Sequence, residues 1–160
     1  MERGPFIDSL AVMRLFSLRA FREEFGQSVV ELSLSLPLLC FLVLGGADLG
    51  RAFAIQLAVQ NGARAGAEAY AMDNTPTTTE AQNAAIAEMN RTPTVNATTS
   101  NVTVTEKQTD GITNCIHPPS VATPCYVTVR VQYTFRTIIP WPMLPNTANF
   151  DRTTQFRVFY

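Results

Sequence analysis

The sequence predicts an α+β protein: a long N-terminal helix with a transmembrane half, continuing into a small antiparallel sheet domain. Three observations carry this reading. Residues 32–47 contain no charge, and counting back to Ser28 adds only Glu31. Gln56, Gln60, Arg64 and Glu68 then recur every four positions, as on one side of a helix. Val127, Val129, Val131, Tyr133 and Phe135 finally alternate with Thr128, Arg130, Gln132, Thr134 and Arg136, the period of a strand with one buried face.

The first element is a leader, residues 1–26, placed in the cytoplasm. Arg14, Arg19 and Arg22 precede the apolar run, while Arg51 and Arg64 beyond it are partly offset by Asp48 and Glu68. That asymmetry favours the N-terminus inside and the C-terminal part outside. Leu15, Leu18, Phe21 and Phe25 form an apolar stripe suited to a short helix on the membrane surface, with an unstructured leader as the alternative.

Residues 27–50 are the transmembrane helix. Roughly 20 residues at ~1.5 Å each cover a hydrocarbon core of ~30 Å. Pro37 and Gly45-Gly46 would weaken a helix in water, but lipid-embedded helices tolerate them where neighbouring groups re-satisfy the backbone. A buried core helix is the soluble alternative. A secretory signal cut at Gly45-Gly46-Ala47, giving a start at Asp48, competes for the same segment, but Glu23, Glu24 and Glu31 sit badly with it. Leu39 before Cys40 excludes a lipoprotein signal, and Cys40 reads as a small buried hydrophobe.

Residues 51–73 continue the helix as a stalk, so that from Gln27 to Met72 it would run ~69 Å at ~1.5 Å per residue. Ala58, Gly62 and Gly66 lie opposite the polar stripe, and Gly46 and Gly50 repeat the small-residue spacing at the membrane exit. Small residues at that spacing admit a second backbone, either a partner helix or the chain's own sheet.

Residues 74–160 form the extracytoplasmic α+β domain. Thr77 with Glu80 makes a capping-box start for a helix through about Asn90. Val102 and Val104 open a strand, Val127 to Phe135 form the strongest one, and "TTQFRVFY" closes the set with Phe156, Val158 and Tyr160 on one side. The segment "PWPMLP" cannot pair continuously, so it is a loop with Trp141 packed at its base. Cys115 and Cys125 flank a loop in the part placed outside the cytoplasm, where oxidation is permitted, and are expected to form a disulfide.

Composition narrows the function. The chain has 160 residues with net charge −1, which provides no field for gripping nucleic acid. Its single histidine, His117, has no serine or cysteine motif that would recruit it as a base, and Cys115, His117 and Cys125 match no common zinc spacing. No glycine-rich phosphate loop is present, so neither a cofactor nor a metal is expected, and an enzyme is not expected either. Asn90, Asn96 and Asn101 each begin an N-x-T sequon and read as ordinary edge residues.

The stretch "GQSVVELSLSLPLLCFLVLGGADLGRAF…VQNGARAGAEA" resembles the TadE-like family, pseudopilin-like pilus assembly proteins of the bacterial tight-adherence system. The resemblance rests on Gln27, Val30-Glu31, Leu36-Pro37-Leu38-Leu39, the Gly45 to Arg51 step and the Asn61 to Ala67 step. Leu32 stands where tyrosine usually follows the glutamate in pilins of this system, and Leu49 where an aromatic often stands. The resemblance implies a bacterial inner-membrane protein with a pilin-like fold. It also implies cleavage after Gly26 by a prepilin peptidase, leaving Gln27 as the new N-terminus, and pairing of Glu31 with the amine of a neighbouring subunit. Its implied partners are other pilins or pseudopilins and the inner-membrane assembly machinery. Glu31 at the lipid interface without a partner, and a single-pass protein whose outer domain binds a ligand or partner outside any filament, are the alternatives.

Overall fold

The computed structural model describes residues 8–142 and 144–159, with side chains from Gly26 onward. The chain runs through α1 (Asp8–Met72), α2 (Thr78–Met89), a short 3-10 turn (Thr99–Asn101), β1 (Val102–Gln108), β2 (Cys125–Arg136) and β3 (Thr147–Val158). It divides at Gly46 into an N-terminal unit and a C-terminal unit, Ala47–Tyr160. The stripe expected along Leu15, Leu18, Phe21 and Phe25 lies outside the described side chains, and Tyr160 lies outside the described residues.

In the N-terminal unit α1 stays helical through Pro37. Ser33 and Ser35 donate their hydroxyls to the carbonyls of Val30 and Leu32, at 2.7 and 3.3 Å. Such local bonds satisfy these two hydroxyls without water. Leu32, Leu34, Leu38, Phe41 and Val43 are all exposed, and none of the most apolar window of the helix is buried. A core helix of a soluble protein buries such a surface, and the described residues of this chain do not cover it. Cys40 is likewise exposed on this helix and free.

In the C-terminal unit the remainder of α1 buries one face. Ile55, Val59, Ala63, Ala67 and Ala71 recur at four-residue spacing, with Ala58 and Tyr70 on the flank, while Gln60 and Arg64 stay exposed. Against this face lie Ala81, Ala85 and Met89 of α2 and the inward valines of the sheet. The α2 start is the expected one: Thr77 accepts the Glu80 amide at 3.2 Å and donates to the Glu80 carboxylate at 2.8 Å. Its end is pinned by Asn90, whose side-chain oxygen accepts the Ala97 amide at 2.7 Å. Asn101 donates to the Gln132 carbonyl at 2.9 Å, so two of the three sequon asparagines hold backbone in place.

The sheet has the order β1-β2-β3, antiparallel throughout. Val127, Val129, Val131 and Phe135 of β2 point inward and are buried, whereas Arg130, Gln132 and Thr134 are exposed, as the alternation requires. β1 runs further than the two valines indicated, to Gln108. β3 begins at Thr147, well before the expected "TTQFRVFY", because it pairs with β2 along that strand's full length, from Cys125↔Val158 to Arg136↔Thr147. On the outer face Arg130 grips Asp151 with both its Nε and a terminal nitrogen, and Gln132 donates to the same carboxylate at 3.1 Å. These hydrogen bonds, led by those from Arg130, hold the Asp151 carboxyl below its ordinary pKa.

Candidate functional site

Three clusters carry the candidate chemistry. The first is the start of the apolar helix. Gly26, Gln27 and Glu31 are exposed and lie within α1, and Gln27 donates to the Glu31 carboxylate across one helical turn at 3.3 Å. The Gly26-Gln27 peptide bond is therefore helical here, and a protease requiring an extended backbone would have to unwind a turn.

The second cluster is centred on Asp48, the charged residue that follows the uncharged run. Asp48 is only 5% exposed. One carboxylate oxygen accepts the Ile138 amide at 3.0 Å and Arg51 at 3.2 Å; the other accepts the Trp141 indole N–H at 3.0 Å. Burying a carboxylate is costly unless its lone pairs are filled, and three donors fill them here. Arg51 also lies over the Phe135 ring, 5.5 Å from its centroid. The loop between β2 and β3 is thus tied to α1 through its indole, and Asn146 closes it by accepting the Trp141 amide at 2.6 Å. Sequence reasoning identified Trp141 at the loop base but missed Asp48 as its acceptor. The lone acid directly after an apolar run was the available signal.

The third cluster joins α1, β1 and the 109–124 loop. Tyr70 donates to Glu106 Oε2 at 3.1 Å, and His117 Nε2 lies 3.0 Å from the same oxygen. Burial first, and the Glu106 charge second, push the Tyr70 hydroxyl up to about 12. Cys115 and Cys125 form a disulfide with Cα atoms 5.7 Å apart. Their sulfurs lie near a Glu106 carboxylate oxygen, but bridged sulfurs are not thiolates and offer a metal no charged ligand. Within the loop Asp110 accepts the amides of Ile112 and Thr113 at 3.0 and 2.9 Å, and Gly111 takes a positive φ of 71°, a conformation glycine adopts without steric cost.

The small-residue positions fall into two groups. A methyl group on Gly62 would lie 2.5 Å from Met89 Cγ, and one on Gly66 2.8 Å from the Ala81 carbonyl oxygen. Ala58 is buried in the same core. These three therefore admit the chain's own α2 and sheet. Around Gly46 and Gly50 nothing lies within 4 Å of such a methyl.

Residues 26–68 match the family model described as TadE-like protein, the family that the sequence resembles. No curated protein and no solved structure matches the chain. The matched segment begins at Gly26 and includes the uncovered apolar helix, Asp48 with Arg51, and both interlocking glycines, whereas the sheet lies beyond it. The likeness is confined to residues 26–68, which include a stretch of α1 long and apolar enough to cross a membrane.

Proposed function

We propose that the chain is a minor pseudopilin or pilus assembly protein of the tight-adherence system, anchored in the bacterial inner membrane by residues 27–50. The N-terminus lies in the cytoplasm and the disulfide-bearing domain outside. It acts without catalysis, by packing its helix against other pilins or pseudopilins and the inner-membrane machinery. The observation that supports this best is an apolar helix surface left uncovered by the described residues, inside the very segment that matches the TadE-like family.

Glu31 gives the helix a reason to assemble. A carboxylate at the centre of a bilayer costs roughly 2.5–3.5 kcal/mol and one near the edge, as Glu31 is in a span over 27–50, costs less; pairing with a neighbouring subunit's amine relieves that cost. Cleavage after Gly26 by a prepilin peptidase would create such an amine on Gln27. The glycine leaves room for the scissile backbone, and Gln27 already reaches Glu31 within its own helix.

The test is genetic and biochemical together. Removing the gene from a bacterium that assembles these pili should abolish or sharply reduce surface pili, and the wild-type gene should restore them. Restoration by Glu31→Ala to the wild-type level would show that the charge has no part in assembly. Normal piliation without the gene would contradict the proposal.

A further inference from the structure

We infer that the loop between β2 and β3, through its described residues 137–142 and 144–146, seats in the lipid headgroup–acyl boundary, held by Asp48 where the proposed span ends. This rests on reading the apolar half of α1 as a membrane span. Three independent features of the loop point to lipid.

The first is composition. No charged residue occurs anywhere from 137 to 150, yet the loop is at the surface, with Ile138 and Leu144 each 63% exposed. Pro140, Pro142 and Pro145 remove three backbone donors that would otherwise require water. The second is position. Ile138 and Trp141 both donate to Asp48, and Asp48 directly follows the uncharged residues 32–47 in sequence. The loop is therefore one hydrogen bond from the helical residue at which a span would leave the hydrocarbon.

The third is what surrounds it. Leu49 and Phe53, one helical turn apart on α1 in the same unit as Asp48, are also exposed. Arg136, exposed and next in sequence to the Phe135 over which Arg51 lies, supplies positive charge at this end of the unit, suited to lipid phosphates. Tryptophan itself favours this depth, where an apolar ring and a polar N–H are both accommodated. The competing occupant is another protein chain; continuity with the span favours lipid.

Trp141 is the single tryptophan of the sequence, so its fluorescence reports on this loop alone. The full chain should be reconstituted in phosphatidylcholine vesicles carrying nitroxide labels at one of three depths: on the headgroup, near the glycerol ester, or near the acyl-chain end. Labels near the glycerol ester should quench Trp141 at least about twofold more strongly than those at the chain end. Aqueous iodide should quench it weakly. Asp48→Asn, which turns an acceptor toward the indole N–H into an amide, should flatten the depth profile. Ile138→Asp, at an exposed position, should weaken quenching by the ester-level labels.

Vesicle-bound protein with its disulfide intact, but with equally weak quenching from every lipid label, would overturn the inference and leave the membrane anchor standing. Shielding from both lipid labels and iodide would overturn it in favour of a protein partner. Protein that fails to float with the vesicles would overturn both readings. Profiles unchanged in both folded variants would remove Asp48 and Ile138 from the account and with them the docked loop.

Discussion

Gly66 shows how one missing methyl group sets the approach of a helix to its neighbours. A Cβ there would meet the Ala81 carbonyl oxygen at 2.8 Å and a Val129 methyl at 3.2 Å, and backbone cannot give way as a side-chain tip can. Gly66→Ala should therefore lower stability by about 1–3 kcal/mol despite alanine's better helix propensity, as read by denaturant titration. Gly50→Ala, with open space around it, should leave stability within about 1 kcal/mol of wild type or raise it. Equal losses at the two positions would contradict this packing.

Tyr70 sets a second residue-scale expectation. Its hydroxyl is raised from 10.0 to about 12 by burial and by Glu106. The unfolded chain thus gives up this proton at lower pH than the folded one. The contribution is complete below pH 10 and is lost as pH rises through about 12. Tyr70→Phe should flatten the decline of stability across that window; an unchanged pH profile would show that the phenol is not the responsible group.

At the scale of elements, the disulfide loop and the α2 cap are the testable units. The Cys115–Cys125 bridge spans 10 residues of sequence, and closing such a loop contributes about 2.5–3 kcal/mol in the chain-entropy model. Thiol labelling of the unfolded, unreduced protein should modify Cys40 alone; modification of all three cysteines would contradict the bridge. Thr77→Ala should cost about 1 kcal/mol, because the Glu80 amide loses its acceptor.

The same elements show what could be read in advance and why. β2 was legible because its buried valines alternate without a break, and α2 because Thr77 and Glu80 announce their cap. The first half of β3 was not. Ala148, Phe150 and Arg152 carry no apolar alternation, and that stretch is a strand because the long β2 arm offers it hydrogen-bonding partners. Asp48 shows the same limit: its donors Ile138 and Trp141 lie 90 and 93 residues away, so no local pattern could assign them. The small-residue face was legible as a packing surface, but its occupant, α2 with the sheet, required the folded chain.

On the scale of the whole molecule, the chain joins a helix that suits lipid to a domain that suits water. Residues 32–47 expose apolar side chains that water would reject, and the C-terminal unit buries a core of alanines and valines beneath an outer sheet face with charged and polar side chains. The TadE-like match falls on the helix that is long and apolar enough to cross a membrane, which is where the proposed assembly with other subunits would be encoded. If Gly26 is the processing site, Gly26→Leu should block the cut while Glu31→Ala should leave it largely intact, since only the first places bulk at the scissile bond.

The most direct measurement is the mass of the chain's N-terminus in cells that carry an active prepilin peptidase. A processed pseudopilin begins at Gln27, with residues 1–26 removed. An intact Met1 start under those conditions would contradict processing, and a start at Asp48 would point instead to a secreted protein cleaved from its apolar segment.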